Sequence, residues 1–411
     1  MTDTARRPVV DFDHHSEAFN ADPGAAWGKL REQCPVAWSE HHGGFWIIAD
    51  YEGNHDVLKN TAVFTTERVT PNSGLNIPSV QVDSELAYPE ELDPPNHGPV
   101  RRLLNAIMSP TASKALQPRI EHWTTTCIDS IIEAGEGDLL YDVTGPVPAF
   151  TTLEWLGFPL DRVIEAAEIM HDTLGYAPHT ERWQRAMEKR GVIDGILRQA
   201  IAERRKEPRD DAISWLMTQE VNGEPVDDLT IVRLGIVLVG GGVDTTTSLT
   251  SSALVHLQKD RALRQRLLDE PGLLEPATEE FLRYYPPLAS IARTARQDID
   301  YRGCPIRNGD RILVSRHAAN YDPTAFERPE EFIVDRFPNR HVSFGLGPHR
   351  CPGSHLARLI FHEVMTQVLT RMPDYELDLD RVEPYPDRGL VQGWAALPAR
   401  FTPGPRMGGT S

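Results

Sequence analysis

FGLGPHRCPG, residues 344–353, sets one cysteine among three glycines, two prolines and two basic side chains. It is too poor in apolar residues to be a core element, so it acts through backbone shape and sulfur. A cysteine that serves as nucleophile, metal ligand or redox switch needs its thiolate charge stabilised by nearby donors. Gly345, Gly347 and Gly353 let the backbone close around Cys351 with N–H groups aimed at the sulfur. The helical pattern that follows, GSHLARLIFHEVMTQVLTRM, brings a positive N-terminal end to the same place. The stretch therefore reads as a thiolate holder. A nucleophilic role would want a histidine base, for which His349 is a candidate, and an oxyanion hole. The plain alternative is a tight coil around an inert cysteine.

Working outward, 40% hydrophobic and 25% charged residues describe an ordinary globular chain of 411 residues. The N-terminal segment has no secretory h-region, and no run reaches the roughly 18 apolar residues of a membrane span. Cys34, Cys127, Cys304 and Cys351 are far apart and form no CxxC pair, which argues against a disulfide framework or a zinc site and for a cytoplasmic location. A net charge of −18 excludes phosphate-backbone binding and disfavours an anionic membrane surface. Small molecules, or a local patch of opposite sign, remain as partners.

GFWIIAD (44–50) reads as a strand and YEGNHDVLKN after it as a helix. Residues 65–95 show no sustained period and read as a long functional loop. From 96 to 270 helical patterns dominate, with DDLTIVRLGIVLVGGGVDTTTSLTSSALVHLQKD as one long apolar helix. Two further helices stop at prolines, 295–317 reads as short strands with a turn at Asn308 and Gly309, and a Pro-rich coil leads into the cysteine loop. The expected fold is mainly α (α+β): one helix-rich domain, 1–411, with minor β-sheets and peripheral tails at about 1–20 and 402–411.

The pattern F-G-x-G-x-H-x-C-x-G has six fixed positions and arises by chance in ~10⁻⁵ of chains of this length. It resembles the haem-binding loop of the cytochrome P450 superfamily, soluble bacterial type, with Cys351 in the place of the axial thiolate. The resemblance implies haem b, bound by Cys351 as metal ligand with Phe344, Gly345, His349 and Gly353 in its loop. Three other motifs carry it across the chain. In GGVDTT (241–246) two adjacent glycines cost a helix interior about 1 kcal/mol each. A close helix crossing with threonines bonded back to the i−4 carbonyls would explain them. The resemblance instead implies a distal helix that leaves room for dioxygen at Gly241, with Asp244 and Thr245 as the catalytic acid and alcohol. Glu280 and Arg283 in EEFLRYYPP match the family's E-x-x-R, with Arg336 as the third member of a buried structural triad. His97 and Arg101, at i and i+4 on one helical face, match its H-x-x-x-R, and with Arg293 and His349 they are implied propionate contacts.

The chain departs from many relatives at Pro352, which removes an N–H next to the sulfur. Residues 336–358 hold Arg336, Arg340, Arg350, Arg358 and three histidines with no Asp or Glu. That reversal suits an acidic ferredoxin as electron donor. By analogy the substrate pocket is lined by the 65–95 loop, the 165–190 helices, Leu238, Gly241, Leu288, Ile291, Val391 and Trp394. A small hydrophobic substrate, hydroxylated or oxidatively dealkylated by a monomeric enzyme, is expected. The alternatives are a peroxide-dependent haem-thiolate enzyme, a non-catalytic haem-thiolate gas sensor and a thiol hydrolase without haem.

Overall fold

The computed structural model describes residues 7–79, 86–178 and 180–408; the middle of the long loop, 80–85, and the outermost tail residues lie outside the described residues. Helices make up 52% of the chain. Its contacts gather into two compact units, each drawn from several stretches of sequence. The first comprises Met1–Gly98, Leu282–Cys351 and Asp387–Val391, the second Pro99–Phe281, Pro352–Pro386 and Gln392–Ser411.

The first unit is built on a five-stranded sheet in the order Val36–Ser39, Phe45–Ile48, Arg311–Ser315, Ser290–Ala295, Phe64–Thr65. Phe45–Ile48 and Arg311–Ser315 run parallel, and the other pairs are antiparallel. Both of these inner strands are buried on both faces, which is why FWII and ILV are continuous apolar runs and do not alternate. The strand period of two sorts them. Phe45, Ile47 and Leu313 pack with Phe12, Phe19 and Trp27 on one side, while Trp46, Ile48, Ile312 and Val314 pack with Val57, Leu58 and Phe64 on the other. The first hairpin turns through His42, Gly43 and Gly44 at positive φ, and a Cβ on Gly44 would collide with the Trp38 indole. The expected peripheral tail at 1–20 is corrected here. Val10 N–H donates to the Trp38 carbonyl at 2.9 Å and Trp38 N–H to the Pro8 carbonyl at 2.8 Å. Phe12 and Phe19 are core residues, because a short core gains most from large aromatic side chains.

The second unit is helical, with small two- and three-stranded sheets. Its long helices are Gln117–Ile131, Pro146–Leu156, Val163–Gly175, Glu181–Lys206, Asp228–Gly242, Asp244–Lys259 and Ser354–Arg371. Several start where the sequence supplies a capping acceptor: Thr180 accepts from Trp183 N–H and Asp227 from Thr230 N–H. The segment expected as one helix is two, broken at Val243 (φ −92°, ψ −71°). Asp228–Lys259 taken together is long and apolar enough to cross a membrane, and 56% of its most apolar window is buried inside the protein.

Candidate active site

The cysteine loop lies in the first unit. Cys351 is half-buried, and its N–H donates to the Phe344 carbonyl at 2.8 Å, closing the loop on itself. Gly345 and Gly347 have φ of +68° and +67°, where a side chain is strained. A Cβ on Gly347 would also sit 2.8 Å from the Leu58 carbonyl oxygen. Gly353 is the N-cap residue of Ser354–Arg371. The other cysteines sit in surroundings that keep them protonated: burial pushes the Cys127 thiol up to about 12 and raises those of Cys34 and Cys304.

Besides Arg283, the same unit buries the guanidinium groups of Arg293, Arg311 and Arg316. Arg293 is 2% exposed, and among the described residues its side chain's one hydrogen bond runs from Nη1 to the carbonyl of its own neighbour Ala292, 2.8 Å away. Arg316 is buried beside Gly345, whose Cβ would lie 3.3 Å from Arg316 Nη2. Arg311 spends Nη2 on the carbonyls of Gly74 and Asn76, tying the long loop to the sheet. Nε of all three is buried without a hydrogen-bond partner. Burial pushes Arg293 and Arg316 down to about 10, and for Arg293 the neighbouring Arg316 charge adds to the effect. Cations this deep, with donors left over, fit an anionic group that the chain itself does not supply.

The first unit also holds a smaller polar cluster about His349 and Asp93. His349 Nε2 is 3.0 Å from Asp93 Oδ1, and its ring centroid is 4.5 Å from that of His97. Burial alone would raise the Asp93 carboxyl, but hydrogen bonds from His349, Thr65 and Thr66 outweigh it and hold the group well below the usual carboxylate range. His349 is thus shared with Asp93. His97 opens the His97–Ile107 helix and is buried. Arg101, one turn on, donates from Nε to Asn105 Oδ1 at 2.9 Å.

In the second unit GGVDTT has the close helix contacts and back-bonded threonines of a packing motif, with open space at Gly241. Gly240 and Gly242 permit close helix contact, since a Cβ on either would lie 2.9 Å from Met170 Cε or Thr152 Cγ2 respectively. A Cβ on Gly241 would meet nothing within 4 Å. Thr245 Oγ1 donates back to the Gly241 carbonyl at 2.8 Å, as Thr247 does to Val243 at 3.0 Å. Asp244 is the first residue of its helix, where the dipole favours its negative charge. It is 2% exposed. Its Oδ1 accepts from Tyr385 O–H at 2.7 Å and lies 3.1 Å from His171 Nδ1, while Oδ2 is buried without a partner.

Of the expected substrate-lining residues, Leu288 and Val391 are brought together as a β-bridge, with Ile291 on the adjoining strand. Leu238 is buried in the Asp228–Gly242 helix, and Trp394 donates from Nε1 to Ser252 Oγ at 3.0 Å. Of the expected triad, Glu280 and Arg283 are fully buried and Arg336 is part-buried. Arg283, fully buried, and Arg336 both donate to the Glu331 carbonyl at 3.0 Å. Arg358 forms a two-point pair with Glu279 at 2.5 and 2.7 Å, and Arg340 is exposed with no ion pair among the described residues. Sequence reasoning missed Arg311, Arg316, Asp93, His171 and Tyr385. An arginine directly after the buried strand RILVS was a usable signal for Arg316; nothing local marks His171 or Tyr385.

The sequence matches the cytochrome P450 family model over residues 165–390. It is 30% identical to a steroid C26-monooxygenase of Mycolicibacterium smegmatis, covering 98% of each chain. A steroid C26-monooxygenase of Mycobacterium tuberculosis is 32% identical over 98% of this chain and 99% of its own. The structure is similar to a Bacillus megaterium P450 in complex with testosterone, with TM-score 0.80, 27% identity, and coverage of 92% of this chain and 99% of the other.

Proposed function

The chain belongs to the cytochrome P450 family and is a haem b monooxygenase, and we propose that it inserts oxygen into a compact, rigid hydrophobic substrate of steroid size, with electrons from a separate acidic ferredoxin. One observation carries the assignment of the site. Arg293 and Arg316, buried with unpaired Nε atoms, lie in the unit that presents Cys351 on a left-handed glycine loop. A thiolate holder beside surplus buried cations fits a metal porphyrin with two carboxylates.

Bound through sulfur, the haem supplies an iron that takes up and activates dioxygen. The chain's own residues do the rest. Cys351 Sγ is the proposed ligand, and Phe344, Gly345 and Gly353 shape its loop. Arg293, Arg316, His97, Arg101 and His349 neutralise the propionates. Gly241, with no side chain, keeps its segment of helix low. Asp244 holds and releases a proton at its carboxyl group. Thr245 Oγ, whose own hydrogen goes to the Gly241 carbonyl, still has lone pairs to accept one. Leu288, Ile291 and Val391 in the first unit and Leu238 and Trp394 in the second are the proposed apolar contacts for the substrate.

The steroid names of the relatives, together with this lining, favour the substrate class. For the electron donor, Arg340 and Arg350 are exposed, whereas Arg336 is used on backbone carbonyls and Arg358 on Glu279. We read residues 1–411 as a single domain, because the helices His97–Ile107 and Leu274–Tyr284 each run across a unit boundary. A monomer in the cytoplasm completes the proposal. The test is a spin-shift titration with steroids, followed by turnover under ¹⁸O₂ with a ferredoxin and its reductase. Product carrying one labelled oxygen supports the reading; peroxide-driven product with none from ferredoxin and O₂ overturns it.

A further inference from the structure

Asp244 does not stand alone. Its Oδ1 meets Tyr385 Oη at 2.7 Å and His171 Nδ1 at 3.1 Å, and His171 Nδ1 is 2.7 Å from Tyr385 Oη. The side chains of His171 and Asp244 are 12% and 3% exposed, and Tyr385 is 2% exposed. The three come from the Val163–Gly175 helix, the start of Asp244–Lys259 and the residue after the Glu383–Pro384 strand. Tyr385 is fitted in place by two glycines: a Cβ on Gly175 would lie 2.6 Å from its ring, and one on Gly393 would collide with the opposite edge.

The hydrogens of this cluster can be assigned by elimination. An ionised carboxylate only accepts, and a phenol has one proton to give. Burial, and after it the Asp244 charge, raises Tyr385 well above the usual phenol range, so its O–H is kept and donated to Asp244. A bare lone pair on His171 Nδ1 would then face two oxygens with nothing to offer either. Nδ1 must carry the hydrogen, which leaves Nε2, buried without a hydrogen-bond partner, as the ring's exchangeable position.

We propose that His171 and Tyr385 are positioning residues that act through Asp244: Tyr385 fixes the carboxylate, and His171 reloads it with a proton brought in along the Val163–Gly175 helix. The step balances without any redox change. Water delivers a proton to Nε2, Nδ1–H passes to Oδ1, and the ring is left neutral as its Nε2–H tautomer beside a neutral carboxylic acid. After Asp244 gives up that proton, loss of the Nε2 hydrogen and return of a hydrogen to Nδ1 reset the ring. The inference rests on the reading of Asp244 as the acid of oxygen activation.

Tyr141 comes within 6.3 Å of His171, ring to ring, and is 48% exposed. Asp172 and Tyr176 on the same helix are engaged by Arg182, through an ion pair at 2.7 Å and a ring contact at 4.4 Å. On the neighbouring elements Glu154 pairs with Arg119, Asp228 with Arg205, Arg162 with Glu165, Arg185 with Glu181 and Arg198 with Asp194, and Asp161, Glu168, Glu188, Lys189, Arg190 and Arg233 are further charged groups.

The test uses the reduced, CO-bound holoprotein, whose His171 ring resonances are assigned by their loss in His171→Asn. Asp244→Asn removes the acceptor that faces His171 Nδ1 and is expected to abolish its hydrogen-bonded Nδ1–H resonance; an unchanged resonance overturns the proposal whatever the turnover. In ferredoxin-driven turnover, His171→Asn keeps a hydrogen-bonding group but no titrating one, and is expected to cut product about tenfold while raising peroxide and flattening the pH profile. Tyr385→Phe should cost about threefold with the pH profile retained. If Asp244→Asn uncouples the enzyme and His171→Asn does not, His171 is not the supplier and the reading of Asp244 survives. If Asp244→Asn leaves coupling intact, that reading and this inference both fall.

Discussion

Two sets of buried charged groups, one in each unit, are handled in opposite ways. In the first, Arg293 and Arg316 are sealed in the protein with guanidinium hydrogens left over and no carboxylate paired to them among the described residues. In the second, one carboxylate, Asp244, is met on one oxygen by a phenol and an imidazole, while its other oxygen stays unpaired. Surplus buried cations are a cost that only a bound anion offsets, so that region is completed by a ligand. A carboxylate half satisfied by its own chain is held in place but still able to take a proton.

The largest expected effect separates the two regions by the sign of their response to haem. Arg316→Met and Arg293→Met should leave the haem-free protein as stable as wild type, or stabilise it by about 1–3 kcal/mol, since an unpaired buried charge is removed. The same variants should lose haem to a scavenging apoprotein at least tenfold faster. Asp244→Asn should do neither. Thermal unfolding with and without haem checks this; a cradle variant that destabilises the haem-free protein by several kcal/mol would break the contrast.

Next in size is a comparison inside the distal helix. Gly242→Val drives a branched side chain against Thr152 and should cost about 1–3 kcal/mol of stability. The Cβ added in Gly241→Val meets nothing in the protein within 4 Å, so the change should cost less stability than Gly242→Val while disturbing the haem spectrum. Equal melting temperatures for the two variants would remove the distinction between a packing glycine and a ligand-facing one.

Two adjacent histidines supply a pH test in the first unit. Burial alone would lower His15, but the Asp387 carboxylate at 2.7 Å outweighs it and the net shift is upward from 6.5. A raised folded value means that this contribution is fully present below about pH 6.5 and is lost as pH rises through the folded value. Asp387→Asn should therefore destabilise more at pH 6 than at pH 8.5. His14 is pushed well below 6.5, first by burial and then by the charge of His15. It has the opposite dependence, with stability present above 6.5 and lost as pH falls toward its folded value. Urea unfolding at both pH values reads each effect.

The smallest expected effect concerns the basic stretch. Arg340→Glu and Arg350→Glu should each raise the KM for ferredoxin about threefold at low salt, fading at high salt. Arg358→Glu, which breaks the pair with Glu279, should chiefly lower stability.

What the sequence disclosed follows the same division. The cysteine loop is contiguous, and its demands on glycine and sulfur are local, so FGLGPHRCPG could be read directly. His97 and Arg101 share a helical face, and FWII declares a buried strand by composition. Asp244 and Thr245 were visible because glycines and threonines are costly inside a helix, although the break at Val243 that relieves this cost was not. His171 and Tyr385 lie 73 and 141 residues from Asp244 and were invisible, because only tertiary packing brings a helix and the end of a strand to it. Arg316 looks like an ordinary surface charge until the sheet covers it. The segment from Val10 to Phe19 looked peripheral because its few aromatic residues become core only when packed against Trp27.

The central claim is that sulfur of Cys351 is bound to haem iron, and X-ray absorption at the iron edge of the purified holoprotein tests it most directly. One sulfur scatterer in the first shell, lost in Cys351→Ser, is predicted. A first shell of nitrogen and oxygen alone, or a sulfur that persists in Cys351→Ser, would contradict the account.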